Sequence, residues 1–303
     1  MINFKCKNCG GEVVIDTVGD LVCPYCFSKQ TLKDSDFTDY REFRKKLLMY
    51  AQQTALGAEY SGANDAYEEI WNSAETICLK KDDGTDITIS YIYRAVVDGV
   101  TMYCAKTSAV YVFPKEKRNL AEAALAACSR ITYPQADMKN PGKSVPLLIG
   151  RYELEDGSVL MAYDKPKDVL PLGLFGNMKD VHIEWIISRM ENICCLLEFN
   201  DAVHGGLCPD NLFINPRLHE AILLGGWWRM RSKEDAAGSD LEDIRKIGKM
   251  LLGSHADVAA EGLREFLDSE PMDSAFEDFE AWDWIIENRL GGHHFSKFDL
   301  KDY

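Results

Sequence analysis

Four cysteines near the N-terminus carry the plainest chemistry in the chain. Cys6-Lys7-Asn8-Cys9 and Cys23-Pro24-Tyr25-Cys26 are two Cys-x2-Cys pairs separated by thirteen residues. Four thiolates at this spacing can converge tetrahedrally on one divalent ion, and zinc is the usual occupant of such a site. Four protein ligands leave no open position for water or substrate, so the role predicted for Cys6, Cys9, Cys23 and Cys26 is structural. Gly10, Gly11 and Pro24 suit the tight turns that aim backbone amides at sulfur. About thirty residues bury little apolar surface, so metal binding is expected to supply most of this unit's folding free energy. The other six cysteines (Cys78, Cys104, Cys128, Cys194, Cys195 and Cys208) stand in apolar stretches, where a reduced cysteine serves as a small hydrophobe.

The cysteine unit looks like the zinc ribbons of transcription, translation and adaptor proteins, which contact nucleic acid or protein. Residues 1–33 carry Lys5, Lys7, Lys29 and Lys33 against Glu12, Asp16 and Asp20, a net of +1. That is too weak for a surface that tracks phosphates, and a protein contact is favoured.

A second stretch is His204-Gly205-Gly206-Leu207-Cys208-Pro209-Asp210-Asn211-Leu212-Phe213-Ile214, followed by Glu220-Ala221-Ile222-Leu223-Leu224-Gly225-Gly226-Trp227. It resembles the protein-kinase catalytic loop, His-Arg-Asp-Leu-x-x-x-Asn, and the strand leading to Asp-Phe-Gly. Within kinases it is most similar to a bacterial and phage serine/threonine kinase-like subgroup. There the loop reads His-Gly-x-x-x-Pro and the chain ends near Gly-x-x-Phe-x-x-Phe, here Gly292-His293-His294-Phe295-Ser296-Lys297-Phe298. The resemblance spans residues 76–303. It implies that His204 is a buried structural residue, that Asp243 on the following helix fastens the loop, and that Asn211 faces the nucleotide. It also implies a strand lysine paired with a helix glutamate, for which Lys106 and Glu122 are the candidates.

The departures matter more. Phosphoryl transfer needs an acidic group to orient the attacking hydroxyl and acidic or amide ligands to hold magnesium. Gly206 stands at the first station and Gly225 at the metal-binding station, and glycine offers no carboxylate. Asn211 alone makes a weak magnesium site. Asp210 is adjacent, but its backbone position aims it elsewhere. In place of a glycine-rich loop, Asp82-Asp83-Gly84-Thr85-Asp86 puts three carboxylates near the expected triphosphate. The segment from Trp228 to Ser239 is short and has no Ala-Pro-Glu motif to seat a peptide substrate. The resemblance therefore implies a catalytically inactive pseudokinase, with ATP and magnesium binding disfavoured. An atypical ATP-dependent phosphotransferase using Lys106, Glu122, Asp210 and Asn211 is the alternative. A zinc-ribbon nucleic-acid sensor regulated by the kinase-like domain is a third reading.

These residues need elements to hold them. Residues 1–33 are read as the ribbon, with a hairpin over 12–22 turning at Val18-Gly19-Asp20. Residues 34–75 are read as a helical connector, with Phe43, Leu47, Tyr67, Ile70 and Trp71 at helical spacing. Runs at 87–93, 100–104 and 110–113, split by Asp83-Gly84 and Asp98-Gly99, predict an antiparallel sheet. A helix over 119–131 and strands at 145–152 and 158–163 complete an N-lobe over 76–165. Residues 166–303 read as a helical C-lobe, most clearly at 182–199. Strands first and helices later give an α+β class with two lobes. In the tail, 267–288 holds eight acidic residues and no Lys or Arg. Phe276, Phe279, Trp282 and Ile286 form a stripe that should be partly buried. The sharper reading of this tail is a docking face for a basic or aromatic-seeking partner.

Composition agrees with folding and limits function. The 303 residues are 46% hydrophobic and 27% charged, with a net charge of -15. That field repels nucleic acid and anionic lipid. No apolar run approaches the roughly 18 residues of a membrane span, and Met1 to Cys6 lacks the apolar stretch of a secretory signal. The expectation is a cytoplasmic protein, in the host cytoplasm if phage-encoded, with a protein partner and no membrane.

Overall fold

Each cysteine pair lies in the turn of its own hairpin: β1 (Ile2–Lys5) pairs with β2 (Glu12–Ile15), and β3 (Gly19–Val22) pairs with β4 (Lys29–Leu32). This is a computed structural model, and it describes residues 2–6, 8–10, 12–15, 19–32, 66–132, 145–236 and 239–303. The hairpin predicted over 12–22 is corrected, because its two arms pair outward with the strands across the cysteine turns. Those turns reverse the chain tightly: Gly10, at φ +71°, donates its amide to the Cys6 carbonyl at 2.8 Å, and Phe27 donates to the Cys23 carbonyl at 2.9 Å. Most of the predicted connector, including Phe43 and Leu47, lies outside the described residues. Its last part is α1 (Ala66–Glu69) followed by a 3-10 turn, Ile70–Ser73. Tyr67 is buried in the helical core, with the Arg217 guanidinium 5.6 Å from its ring.

The sheet contains β5 (Glu75–Lys80), β6 (Asp86–Val97), β7 (Val100–Ala105), β8 (Ser108–Phe113), β9 (Leu148–Glu153) and β10 (Val159–Asp164), in the order β5-β6-β7-β8-β10-β9. All pairings are antiparallel. The sheet curls until its edges touch at one end, where Lys81 bridges Leu154 and the Glu155 amide bonds the Lys80 carbonyl at 2.9 Å. Alternation along the strands sorts side chains to two faces. Ile89, Tyr103, Val110 and Leu160 share one buried cluster, while Met102, Cys104, Tyr111, Phe113 and Met161 share the other. Helix α2 (Arg118–Arg130) packs through Ala121, Ala124 and Ala127, small enough for close approach. Cys78, read as apolar filling, is exposed on edge strand β5.

The helical lobe is built on α3 (Asp180–Phe199), buried along nearly its whole length from His182 to Leu197. Beside it, β11 (Leu170–Pro171), β13 (Leu212–Asn215) and β14 (Glu220–Leu223) form a small sheet, and β12 (Ala202–Val203) pairs with β15 (Arg231–Ser232). Then come α4 (Ser239–Leu252), α5 (Glu261–Asp268) and α6 (Ala275–Arg289). In α6, Phe279, Trp282 and Ile286 are buried and Phe276 half-buried, as the stripe predicts. Asp278, one of the eight acidic residues of the tail, is fully buried. It accepts two hydrogen bonds from Arg245 at 2.7 Å each, and that guanidinium lies 3.6 Å over the Phe266 ring.

Candidate functional site

The cysteine sulfurs all lie within 4.8 Å of one another. The Cys6–Cys26 and Cys9–Cys23 separations are both 3.7 Å. Metal–sulfur bonds of 2.3 Å at tetrahedral angles place sulfurs about 3.8 Å apart, so the cluster fits one tetrahedrally held ion. Its protonation state suits a metal as well. Burial opposes ionisation of Cys6, but amide donation from Asn8 and Cys9 and contacts from Ser28 and Cys23 bring the thiol down to about 5. The Ser28 hydroxyl and the Asn8 amide lower Cys26 to about 7. Thiolates are the form that ligates.

The 204–211 loop is built from backbone turns that only glycine tolerates well, with Gly205 at φ +73° and Gly226, opposite it, at φ +79°. A side chain on Gly226 would collide with the His204 ring, whose Cε1 is 2.4 Å from the ideal Cβ. His204 is fully buried and donates from Nε2 to the Gly225 carbonyl at 2.9 Å. Burial pushes it down to about 4, which leaves the ring neutral at pH 7. The fastening aspartate is Asp240, not Asp243. Asp240 accepts the His204 amide at 2.6 Å and the Gly205 amide at 2.8 Å. Asp243 pairs with Lys246 at 3.0 Å on the same helix. Asn211 is buried, with its Nδ2 3.4 Å from the Gly206 carbonyl and, among the described residues, no hydrogen-bond partner for Oδ1.

The predicted Lys106–Glu122 pair does not form. Lys106, just after β7, pairs with Glu68 of α1 at 2.7 Å, and Glu122 pairs with Arg151 of β9. The strand that feeds α2 is β8, not β7, so the side chain carried to the loop is Tyr111. Tyr111 is buried, and an ideal Cβ on Gly225 would lie 2.4 Å from its hydroxyl and 2.5 Å from Asn211 Oδ1. The phenol thus stands in the space that any side chain at the second acidic station would need. Burial raises the Tyr111 hydroxyl well above its ordinary range. The signal in the sequence was only the alternation of Ala109, Tyr111 and Phe113.

Arg229 fills the first station in the same way. A Cβ on Gly206 would lie 2.5 Å from both Cδ and Nη1 of Arg229. The guanidinium is held by a two-pronged ion pair with Asp98, whose carboxylate also accepts Trp228 Nε1 at 2.8 Å. Arg229 chiefly holds the Asp98 carboxyl below its usual range. Asp98 is the tip of the β6–β7 hairpin, so that hairpin closes over the loop. The Asp82–Asp86 turn, read as the one nearest triphosphate, lies instead at the seam of the curled sheet, where the Asp82 amide bonds the Glu153 carbonyl. Asp210 is engaged too, accepting from the Tyr93 hydroxyl of β6 at 2.5 Å. Met102, Tyr111, Met161 and Tyr163 of the sheet join Phe213, Ile222 and Leu224 of the lower hairpin in one buried cluster. Trp228 packs edge-on to Tyr111 and Phe113 at 6.2 and 5.4 Å. At the loop, the facing surfaces therefore offer the Tyr111 phenol, the Asn211 amide, the Asp98-paired Arg229 guanidinium, the Tyr93-bound Asp210 carboxyl and apolar contacts.

No family model and no curated protein matches the chain. Among solved structures it is similar to vaccinia related kinase 3, with a TM-score of 0.45 and 11% identity, covering 75% of this chain and 96% of that one. A rhoptry kinase from Toxoplasma gondii gives a TM-score of 0.46 at 10% identity, over 72% and 84% of the two chains. WbdD, solved with the kinase inhibitor LY294002, gives 0.43 at 12% identity, over 69% and 47%. The fold is kinase-like on its own geometry: a curled antiparallel sheet with a helix between β8 and β9, a helical lobe, and a histidine loop fastened by a helix aspartate. A four-cysteine ribbon precedes it.

Proposed function

We propose that this chain is a zinc-ribbon pseudokinase that works by binding, as a cytoplasmic protein scaffold or regulatory adaptor. The observation that carries this reading is Tyr111 in the space above Gly225, with Arg229 doing the same above Gly206. Magnesium needs an acidic or amide oxygen and an incoming hydroxyl needs a base, where this chain places a neutral phenol and a guanidinium. Zinc is the ion proposed for the ribbon, since an all-thiolate tetrahedral site without an open position is its usual structural form. The phosphotransferase alternative needs Lys106, Glu122, Asp210 and Asn211 together, and the first three are engaged with Glu68, Arg151 and Tyr93.

The test is a phosphoryl-transfer assay with ATP and magnesium or manganese, run beside a thermal-shift titration. The expected result is no turnover and no shift in melting. Turnover that disappears in Asp210→Ala would overturn the proposal.

A further inference from the structure

Helix α6 buries one face and leaves another open, and the open face sets an indole among carboxylates. Glu277, Glu280, Trp284 and Glu287 are all exposed, and Trp284 retains 58% of its accessible surface. Offsets of three, four and three residues place these side chains along one stripe, with Glu280 one turn before the indole and Glu287 one turn after it. The buried side of the same helix is filled by Phe279, Trp282 and Ile286. Glu287 lies 3.7 Å from His293. Among the described residues, neither Glu277 nor Glu280 has a cationic partner. Arg289, the nearest base in sequence, is turned to Glu261 and Glu265 of α5.

We infer that this stripe is a docking face for an arginine-bearing basic segment of a partner protein. The inference rests on the scaffolding role proposed above and names the partner's chemistry. An exposed indole between carboxylates complements a guanidinium, which can stack on the ring while its N–H fork pairs with Glu280 or Glu287. Indole is also the side chain most often found at the energetic centre of protein interfaces. The carboxylates and the net charge of -15 repel phosphate backbones and anionic headgroups, which leaves a cationic polypeptide as the matching occupant. Lysine fits less well, because its ammonium is strongly hydrated and has no planar face to stack.

Fluorescence-anisotropy titration of the full chain with labelled oligo-arginine and oligo-lysine peptides of equal length tests this without nucleotide. A failure here is therefore separate from a failure of the ATP assay. The oligo-arginine peptide is expected to bind several-fold tighter than oligo-lysine. Trp284→Ala is expected to weaken it roughly five- to twentyfold, with Trp284→Phe retaining part of the affinity. Glu280→Gln is expected to weaken binding and flatten its salt dependence. Because Trp284 is exposed, the melting temperature of each variant should stay near that of the parent. Absence of oligo-arginine binding, equal binding after Trp284→Ala, or Trp284-dependent binding to phosphatidylcholine vesicles instead of peptide would each overturn the inference.

Discussion

Tyr111 and Gly225 form an interlocked pair: the ring is accommodated because the glycine has no side chain, and the glycine is required because the ring is there. Restoring the acid at this station should cost stability rather than create a magnesium ligand. Gly225→Asp drives a Cβ against the phenol and Asn211, and it places a carboxyl at a buried position. The expected loss is about 2–4 kcal/mol, read from urea melts. Combining it with Tyr111→Ala should cost less than the two single losses summed, because the vacated ring leaves room for the new side chain. Additivity would show that the two positions do not compete for space. Among the described residues, Asn211 Oδ1 and the Tyr111 hydroxyl are buried without partners and border the same point.

At the scale of elements, the C-terminal segment after α6 is fixed to α3 by two buried histidines. His219 is stacked between Trp185 at 4.4 Å and Phe295 at 4.2 Å, and its Nε2 bonds the Ser296 carbonyl at 2.9 Å. His182 lies against Phe298 at 4.6 Å. Burial, reinforced by Arg189, pushes His219 down to about 3, and burial with Lys179 pushes His182 down to about 4. Both values are below the unfolded value of about 6.5, so the neutral rings contribute fully above that pH. Their contribution is lost as pH falls toward the folded values, because the unfolded chain takes up protons that the fold refuses. Glu184 works in the opposite sense: burial raises it to about 7, and its contribution fades as pH rises from its ordinary value toward 7. A variant comparison isolates the histidine. Between pH ~6.5 and ~4, the parent should lose up to ~1.4 kcal/mol per pH unit more than His219→Gln, measured by denaturant melts at fixed ionic strength. Equal slopes would show that His219 is not neutral in the fold.

Over the whole molecule, two stabilising principles divide the chain. Among the described residues, the kinase-like domain holds three buried apolar clusters, whereas the two hairpins of the cysteine unit bring four sulfurs together. Metal binding to such sites supplies roughly 10–16 kcal/mol in small peptides. Chelation should therefore abolish amide-exchange protection in β1 to β4 and leave β6 to β8 and α3 protected, as hydrogen-exchange mass spectrometry would read. Equal loss in both parts would mean that the domain leans on the ribbon.

The sequence by itself determined what is local. Cysteine spacing marked the metal cluster, the Asp98-Gly99 dipeptide marked a hairpin, and the apolar stripe of α6 marked its buried face, because turn chemistry and helical or strand period act within a few residues. The glycines at 206 and 225 were legible for the same reason. Tertiary structure decided the rest. It put Asp240 rather than Asp243 on the loop, drew Lys106 to Glu68, brought Tyr93 to Asp210 across 117 positions, and brought Trp228 to Asp98 across 130. It also turned Asp278 inward to Arg245. Those partners depend on which strand precedes which helix and how the sheet curls. Such contacts are set by the packing of distant segments, so no short window of sequence contains them.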